Sequence, residues 1–272
     1  MSIVTLTRKV SFSSGHRYWR DSWSDSENRH RFGKYASRFN HGHNYVLWVS
    51  TCGSVDADTG MVVNIKDIDA VLQQRIVAQF DQRSINDEIP FFGETVPSLE
   101  NLLQYFRSEL SDLPVGVTLV ALKLEETPLI YGEWIKENDL TTLTRVYEFA
   151  ASHRLHVPTM TEGQNWELFG KCNNAAGHGH NYVVEVTVSG DIDPETGMIC
   201  SITDLDDVVH REIVDRYDHK NLNEDIPEFA DRVTTSEIVV QEIFNRLTSA
   251  VPAQLVRVRL FETARNVFEV SA

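Results

Sequence analysis

Apolar and polar residues alternate over Ile3–Ser14 and again over Thr144–Ser152, the two-residue period of a half-buried β-strand. Asn44–Thr51 and Asn181–Ser189 carry the same rhythm. The period then changes. Ile65, Ile68, Leu72, Ile76 and Phe80 recur at helical spacing, which predicts one apolar helix face, and Ile202, Leu205, Val209 and Ile213 repeat it. A second stripe follows a Pro/Ser/Thr start in each half: Leu99, Leu102, Leu103, Phe106 and Leu110, then Ile238, Ile243, Phe244 and Leu247. Val117–Glu125 and Leu255–Phe261 alternate like strands. The expected order in each half is ββααββ, an α+β unit with helices on one face of an antiparallel sheet. Such a sheet has two open edges, which oligomerisation commonly covers.

The pattern is doubled because the sequence is. HGHNY stands at 41–45 and at 178–182, an offset of 137 residues. That offset also aligns Phe12 with Phe149, His16 with His153, Phe32-Gly33-Lys34 with Phe169-Gly170-Lys171, Thr59-Gly60-Met61 with Thr196-Gly197-Met198, and Asp81 with Asp218. Ile89-Pro90 falls on Ile226-Pro227, and after one lost residue Glu126-Thr127 falls on Glu262-Thr263. The chain reads as two copies of one domain, 1–136 and 141–272, joined near Trp134–Leu140.

Composition narrows the partners. With 25 Lys+Arg against 40 Asp+Glu the net charge is −15, which argues against a nucleic-acid or anionic-membrane binder. A phosphate-bearing ligand must then meet a local basic pocket. Arg17, Arg20, Arg29, Arg31 and Arg38, interleaved with Tyr18, Trp19 and Trp23, are one candidate surface, with a solvated loop as the plainer reading. Three cysteines without a CxxC suit a reducing compartment. No run nears the roughly 18 apolar residues of a membrane span, and the N-terminal segment lacks the apolar core of a signal peptide. The expectation is a cytoplasmic protein.

The candidate chemistry centres on histidine. Residues i and i+2 of a strand share a face, so His178 and His180 present two imidazoles side by side, with His153 of the preceding strand as the natural third ligand. Three imidazoles with an open fourth position suit catalytic zinc. His16, His41 and His43 repeat the set, which a chance HxH does not explain. Other positions differ between the copies. Cys172, beside Lys171 and six residues before His178, is a candidate base or nucleophile, or else a small buried hydrophobe; its counterpart is Tyr35. Asp218-His219 becomes Asp81-Gln82, so cysteine and histidine vanish together from the first copy. Glu262 and Glu126, each followed by Thr, end apolar strands where a carboxylate is able to accept paired hydrogen bonds from an amidine-like edge. A solvated strand end is the competing reading.

The second copy closely resembles the 6-pyruvoyl-tetrahydropterin synthase family, in FAASHRL, LFGKCNNAAGHGHNY, GDIDPETGMICSITDLD, YDHKNLN and LFETARN. The first is similar in FSSGHRYW, FGKY, HGHNY, DADTGMVVNIKDID and LEET. The resemblance implies tandem tunnelling-fold units whose sheets join into an oligomeric β-barrel with helices outside, three chains supplying six units. It implies a zinc-dependent lyase acting on 7,8-dihydroneopterin triphosphate in tetrahydropterin biosynthesis. His153, His178 and His180 would hold zinc, Cys172 would be the general base, Asp218 and His219 would complete a proton relay, and Glu262 with Thr263 would anchor the pterin. Glu126, His16, His41 and His43 would be the matching positions of a degenerate first site. Three alternatives stay open: the 6-carboxy-tetrahydropterin synthase branch of queuosine biosynthesis, a non-catalytic pterin- or zinc-binding protein, and an aldolase-like activity on dihydroneopterin.

Overall fold

A computed structural model describes residues 3–114 and 116–272, in two compact units. The first comprises 1–144 together with 189–203, the second 145–188 with 204–272.

The first unit opens with β1 (Ile3–His16) and β2 (His41–Ser54), antiparallel in unbroken register from Ile3↔Ser54 to His16↔His41. Between them lies α1 (Asp25–Phe32); α2 (Ile65–Leu72) and α3 (Leu99–Glu109) follow, then β3 (Thr118–Thr127) and β4 (Ile130–Ile135). The sheet order is β4-β3-β2-β1. Asn64 and Ser98 cap α2 and α3, each accepting a backbone N–H with its side chain. The α2 stripe runs on through a π turn, Gln73–Val77, to Ala78–Phe80. Phe12 lies 5.2 to 5.9 Å, centroid to centroid, from Tyr45, Phe80 and Phe106, joining strands and helices in one core. Burial alternates along the end of β1, so Phe12, Ser14 and His16 face the same side. The first histidine is thus the last residue of a core-facing row.

The second unit repeats the plan. It has β5 (Leu140–His153) from Arg145 on, α4 (Glu162–Phe169), β6 (His178–Ser189) up to Val188, α5 (Ile202–Val209) from Asp204 on, α6 (Ser236–Thr248), β7 (Gln254–Thr263) and β8 (Asn266–Ser271). Its order is β8-β7-β6-β5. Here too a π turn, His210–Val214, extends the helix to Asp215–Tyr217.

The strands are longer than their alternation predicts, and both HGH motifs lie within strands. Helices α1 and α4 stand between the first two strands of each unit, where the periodicity predicts no element. Their caps explain them: Ser24 accepts from Glu27, and Thr161 with Gln164 forms a capping box. A buried asparagine braces each, Asn28 accepting from the Arg20 N–H and Asn165 from the Val157 N–H, both at 2.8 Å.

A repeated ion pair ties each opening strand to the following helix, in unequal surroundings. Asp206 is buried and takes Arg145 at 2.8 and 3.0 Å and the Tyr147 hydroxyl at 2.8 Å. The equivalent Arg8–Asp69 side chains are 42% and 33% exposed. Asp206→Ala leaves a guanidinium and a phenol without their carboxylate, at a cost of about 3 kcal/mol. Asp69→Ala costs about 1 kcal/mol or less. Urea unfolding of the two variants checks this, and equal shifts would contradict the burial argument.

The segment 189–203 seats on the start of α3 inside the first unit. Ser98 Oγ donates to the Gly197 carbonyl (2.6 Å), and the buried Glu100 carboxyl accepts from the Ile199 N–H (2.9 Å). Burial pushes the Glu100 carboxyl up to about 7, the hydrogen bonds it accepts offsetting only part of that. Since this lies above its ordinary 4.5, the contribution to stability is fully present below pH 4.5 and is lost as pH rises through about 7. Hydrogen exchange at the Ile199 amide, corrected for its intrinsic pH dependence, should therefore lose protection between about pH 5 and pH 8. Glu100→Gln should abolish that loss; an unchanged profile in the variant refutes the assignment.

Candidate active site

Each unit gathers its three histidines where its first two strands end. In the second, His153, His178 and His180 offer ligand nitrogens all within 4.8 Å of one another, and the same holds for His16, His41 and His43 in the first. His153 Nε2 stands 3.2 Å from His178 Nε2. The buried rings are aimed from behind: His153 Nδ1 donates to the Thr234 carbonyl (2.7 Å) and His16 Nδ1 to the Pro97 carbonyl (3.1 Å). Each bond fixes the tautomer and leaves the Nε2 lone pair facing the cluster. Burial, reinforced by the neighbouring imidazole of His41, pushes His16 down to about 3 and His43 to about 4. Burial also lowers His41, His153 and His180. Neutral imidazoles are the form that binds a metal.

His16 Nε2, His43 Nε2, His178 Nδ1 and His180 Nε2 are buried without a hydrogen-bond partner among the described residues. In each unit two rings carry an unsatisfied buried nitrogen and all three offer a ligand nitrogen within 4.8 Å, a set that a metal ion would satisfy, so the donors fit one in either unit.

A carboxylate closes each cluster. Glu262 Oε1 lies 3.9 Å from His180 Nε2 and 4.0 Å from His153 Nε2; Glu126 approaches His43 at 3.5 Å and His16 at 3.8 Å. Glu262 is held by the Ser236 hydroxyl at 2.7 Å and the Asn266 amide at 3.1 Å. Burial pushes its carboxyl up, but these hydrogen bonds and the nearby imidazoles outweigh it and hold the group below its usual value. Thr263 is exposed at the strand end, and its hydroxyl accepts from the Arg265 N–H in the turn to β8.

Asp218 and His219 form a pair. Asp218 Oδ1 accepts from the Ala150 N–H (2.8 Å) and Oδ2 from His219 Nδ1 (2.7 Å). Those two hydrogen bonds lower the carboxyl. His219 takes a left-handed backbone conformation, φ +56°, as Gln82 does at +59° in the first unit. His219 and His180 line one open cleft of about 480 Å³, and Gln82 and His43 line its counterpart of about 340 Å³. Cys172 lies half-buried on the short turn Gly170–Asn173, its carbonyl accepting from the Leu155 N–H, outside the residues that line the cleft. Tyr35 occupies the same turn in the first unit.

The arginine-rich segment 17–38 is built differently from the phosphate surface its composition suggests. Arg17 pairs with Asp87 at 2.8 and 2.9 Å, Arg31 with Glu27 at 2.8 Å, and Arg20 reaches the Glu195 carbonyl at 2.9 Å. Tyr18 and Trp19 are buried. Sequence reading missed Ser236, Asn266 and the Thr234 and Pro97 carbonyls. Only the doubled Pro/Thr/Ser start of the second helix hinted at Ser236 and the two carbonyls.

The family model for 6-pyruvoyl tetrahydropterin synthase matches the chain twice, over residues 5–135 and 142–272. A 6-pyruvoyl tetrahydrobiopterin synthase of Poecilia reticulata is 48% identical over 126 residues, 46% of this chain and 86% of that protein. The enzyme of that name from Homo sapiens is 45% identical over 126 residues, 46% of this chain and 87% of its own. Among solved structures, Caenorhabditis elegans 6-pyruvoyl tetrahydropterin synthase aligns with 38% identity and a TM-score of 0.47, covering 49% of this chain and 96% of that one. Each of these relatives matches just under half of this chain.

Proposed function

The chain belongs to the 6-pyruvoyl tetrahydropterin synthase family, and on that premise we propose that it is a zinc-dependent lyase converting 7,8-dihydroneopterin triphosphate to 6-pyruvoyl-tetrahydropterin with loss of triphosphate. One site per chain turns over, that of the second unit. The observation that carries this reading is the joint presence, in that unit, of the three-histidine cluster with the braced Glu262 and of the Asp218–His219 pair, His180 of the one and His219 of the other lining one cleft.

His153, His178 and His180 would hold the zinc ion, which supplies Lewis-acid polarisation of the substrate's side-chain oxygens. Glu262, kept ionised by Ser236 and Asn266, accepts hydrogen bonds from the amino-pyrimidine edge and fixes the ring. Thr263 supports that anchor by setting the turn. Cys172 takes the proton from the side-chain carbon next to the ring, which conjugation with the pterin acidifies. His219, oriented by Asp218, passes protons to and from the side chain, so that internal redox and loss of triphosphate follow without an external oxidant. The first unit keeps the histidines and Glu126 but has Tyr35 and Gln82 at the two proton-handling positions. With a reference pKa near 10, a tyrosine is a poor base at neutral pH. Its site is a metal and pterin position without turnover.

The protein acts in this reading as a cytoplasmic homo-oligomer, three chains bringing six units into a barrel. Incubation with 7,8-dihydroneopterin triphosphate, followed by mass spectrometry, tests the reaction. A 6-pyruvoyl product with triphosphate release supports it, and a 6-carboxy product moves the chain to the other branch. No consumption by folded, zinc-loaded protein refutes the lyase and leaves a binding role.

A further inference from the structure

The two repeats carry one loop with the same internal geometry and opposite surroundings. In the first, Asp56 Oδ1 accepts from the Thr59 N–H and hydroxyl, both at 2.8 Å, and the Gly60 N–H returns to the Asp56 carbonyl at 2.9 Å. In the second, Asp193 Oδ1 accepts from Thr196 at 2.7 and 3.1 Å, and Gly197 N–H returns to Asp193 at 2.7 Å. Yet Met198 and Ile202 are each 4% exposed, whereas Met61 is 45% and Ile65 42% exposed. Sequence does not separate them, since both loops offer the same apolar pair.

What separates them is the seat. The second loop rests on the start of α3 inside the first unit, where Ser98 donates to the Gly197 carbonyl and Glu100 accepts from Ile199. The fit is close: a Cβ on Gly197, whose φ is +72°, would meet the Asn101 amide. The seat itself recurs in the second unit. At the repeat offset Ser98 becomes Thr235, also a hydroxyl and also the helix cap, and Glu100 becomes Glu237. Glu100 is buried; Glu237 is exposed. One loop and one seat of matching chemistry therefore both face solvent.

We propose that the loop Asp56–Ile65 of one chain docks on the α6 start of a second copy, Thr235 meeting the Gly60 carbonyl and Glu237 the Val62 N–H. The contact deepens the oligomeric part of the proposed function by naming the faces that meet. Loop and seat are different surfaces, so the association is heterologous and each chain has one of each to offer. Burying Met61 and Ile65 supplies the apolar drive. The seat adjoins the candidate site, because Ser236, next to both docking residues, holds Glu262. The first repeat of a neighbouring chain then lies beside each Glu262.

Cross-linking with a short bismaleimide reads the contact directly. Val62→Cys with Glu237→Cys in one chain should give a ladder of chain multiples beyond that of the wild type and of either single variant. Sedimentation of the uncross-linked protein is run alongside. An oligomer without the added ladder overturns the assigned faces only. A monomer overturns these faces and the oligomeric reading together.

Mixing provides a second test, which rests on the proposed reaction. Val62→Asp removes the loop but keeps Cys172, and Cys172→Ala does the reverse. Each alone should be at least about tenfold slower than wild type, and the mixture should recover several-fold, since the loop of one supports the Ser236–Glu262 contact of the other. No recovery after both variants are shown folded by circular dichroism and exchanged between chains overturns completion in trans.

Discussion

Cys172→Ala lowers kcat by about 10²–10⁴-fold, the range over which a positioned general base acts. KM should change little, because the proposed mechanism holds the pterin ring by Glu262 and not by the thiol, and zinc content should be unchanged because the three histidines are untouched. His219→Asn gives a loss in the same range for a different reason: it removes the proton carrier while leaving Asp218 bonded to the Ala150 N–H. Because the proposed mechanism puts the two residues on one proton path, the double variant should be little worse than the worse single one. Tyr35→Phe, the same position of the first unit, has no measurable effect on kcat. Steady-state rates for these four variants on the triphosphate substrate decide the matter. Full turnover by Cys172→Ala would remove the second unit as the catalytic half. The complementary gain is also expected: Tyr35→Cys with Gln82→His, placed in the Cys172→Ala background, restores part of the lost rate. The first unit already holds its glutamate and the backbone of the His219 position, φ +59° at Gln82.

Much of this was legible before any coordinates. The two-residue period located β1, β2, β5 and β6, and the helical stripes located α2, α3, α5 and α6, because each buries one face on a core. The histidine clusters were legible for the same reason: His16 and His153 continue a core-facing row, and i, i+2 spacing pairs the others. What periodicity does not carry was lost. Helices α1 and α4 are built on caps and on the buried Asn28 and Asn165, with no apolar stripe to announce them. The closing strands β4 and β8 were counted in the expected order but not located. The π turns lie hidden inside continuous stripes. The unequal burial of Asp56–Ile65 and its repeat is set by what each loop rests on, which no local pattern encodes. The arginines of segment 17–38 looked available as charges, while the carboxylates that engage Arg17 and Arg31 include Asp87, 70 residues away.

Metal content separates the two units more sharply than any other single quantity. The fully assembled protein should carry two equivalents of zinc per chain, since both clusters present three nitrogens within 4.8 Å and both aim a buried ring from a backbone carbonyl. His178→Ala and His41→Ala should each reduce this to one. Their kinetic consequences differ. In the proposed mechanism the second-unit ion would supply polarisation worth several kcal/mol, so His178→Ala should lower kcat by at least about 10²-fold at 1.36 kcal/mol per decade. His41→Ala gives up an equal amount of metal for a far smaller loss of rate, because Tyr35 and Gln82 stand where that ion would need a base and a proton carrier. Inductively coupled plasma mass spectrometry with parallel rate measurements reads both. One equivalent in the wild type would mean that the first cluster, despite its geometry, is a buried histidine network. Equal rate losses would mean that the two ions serve one catalytic site, and the division into a working and a silent unit would have to be abandoned. The expected asymmetry follows from two side chains out of each set: the ligands are doubled, and the proton chemistry is not.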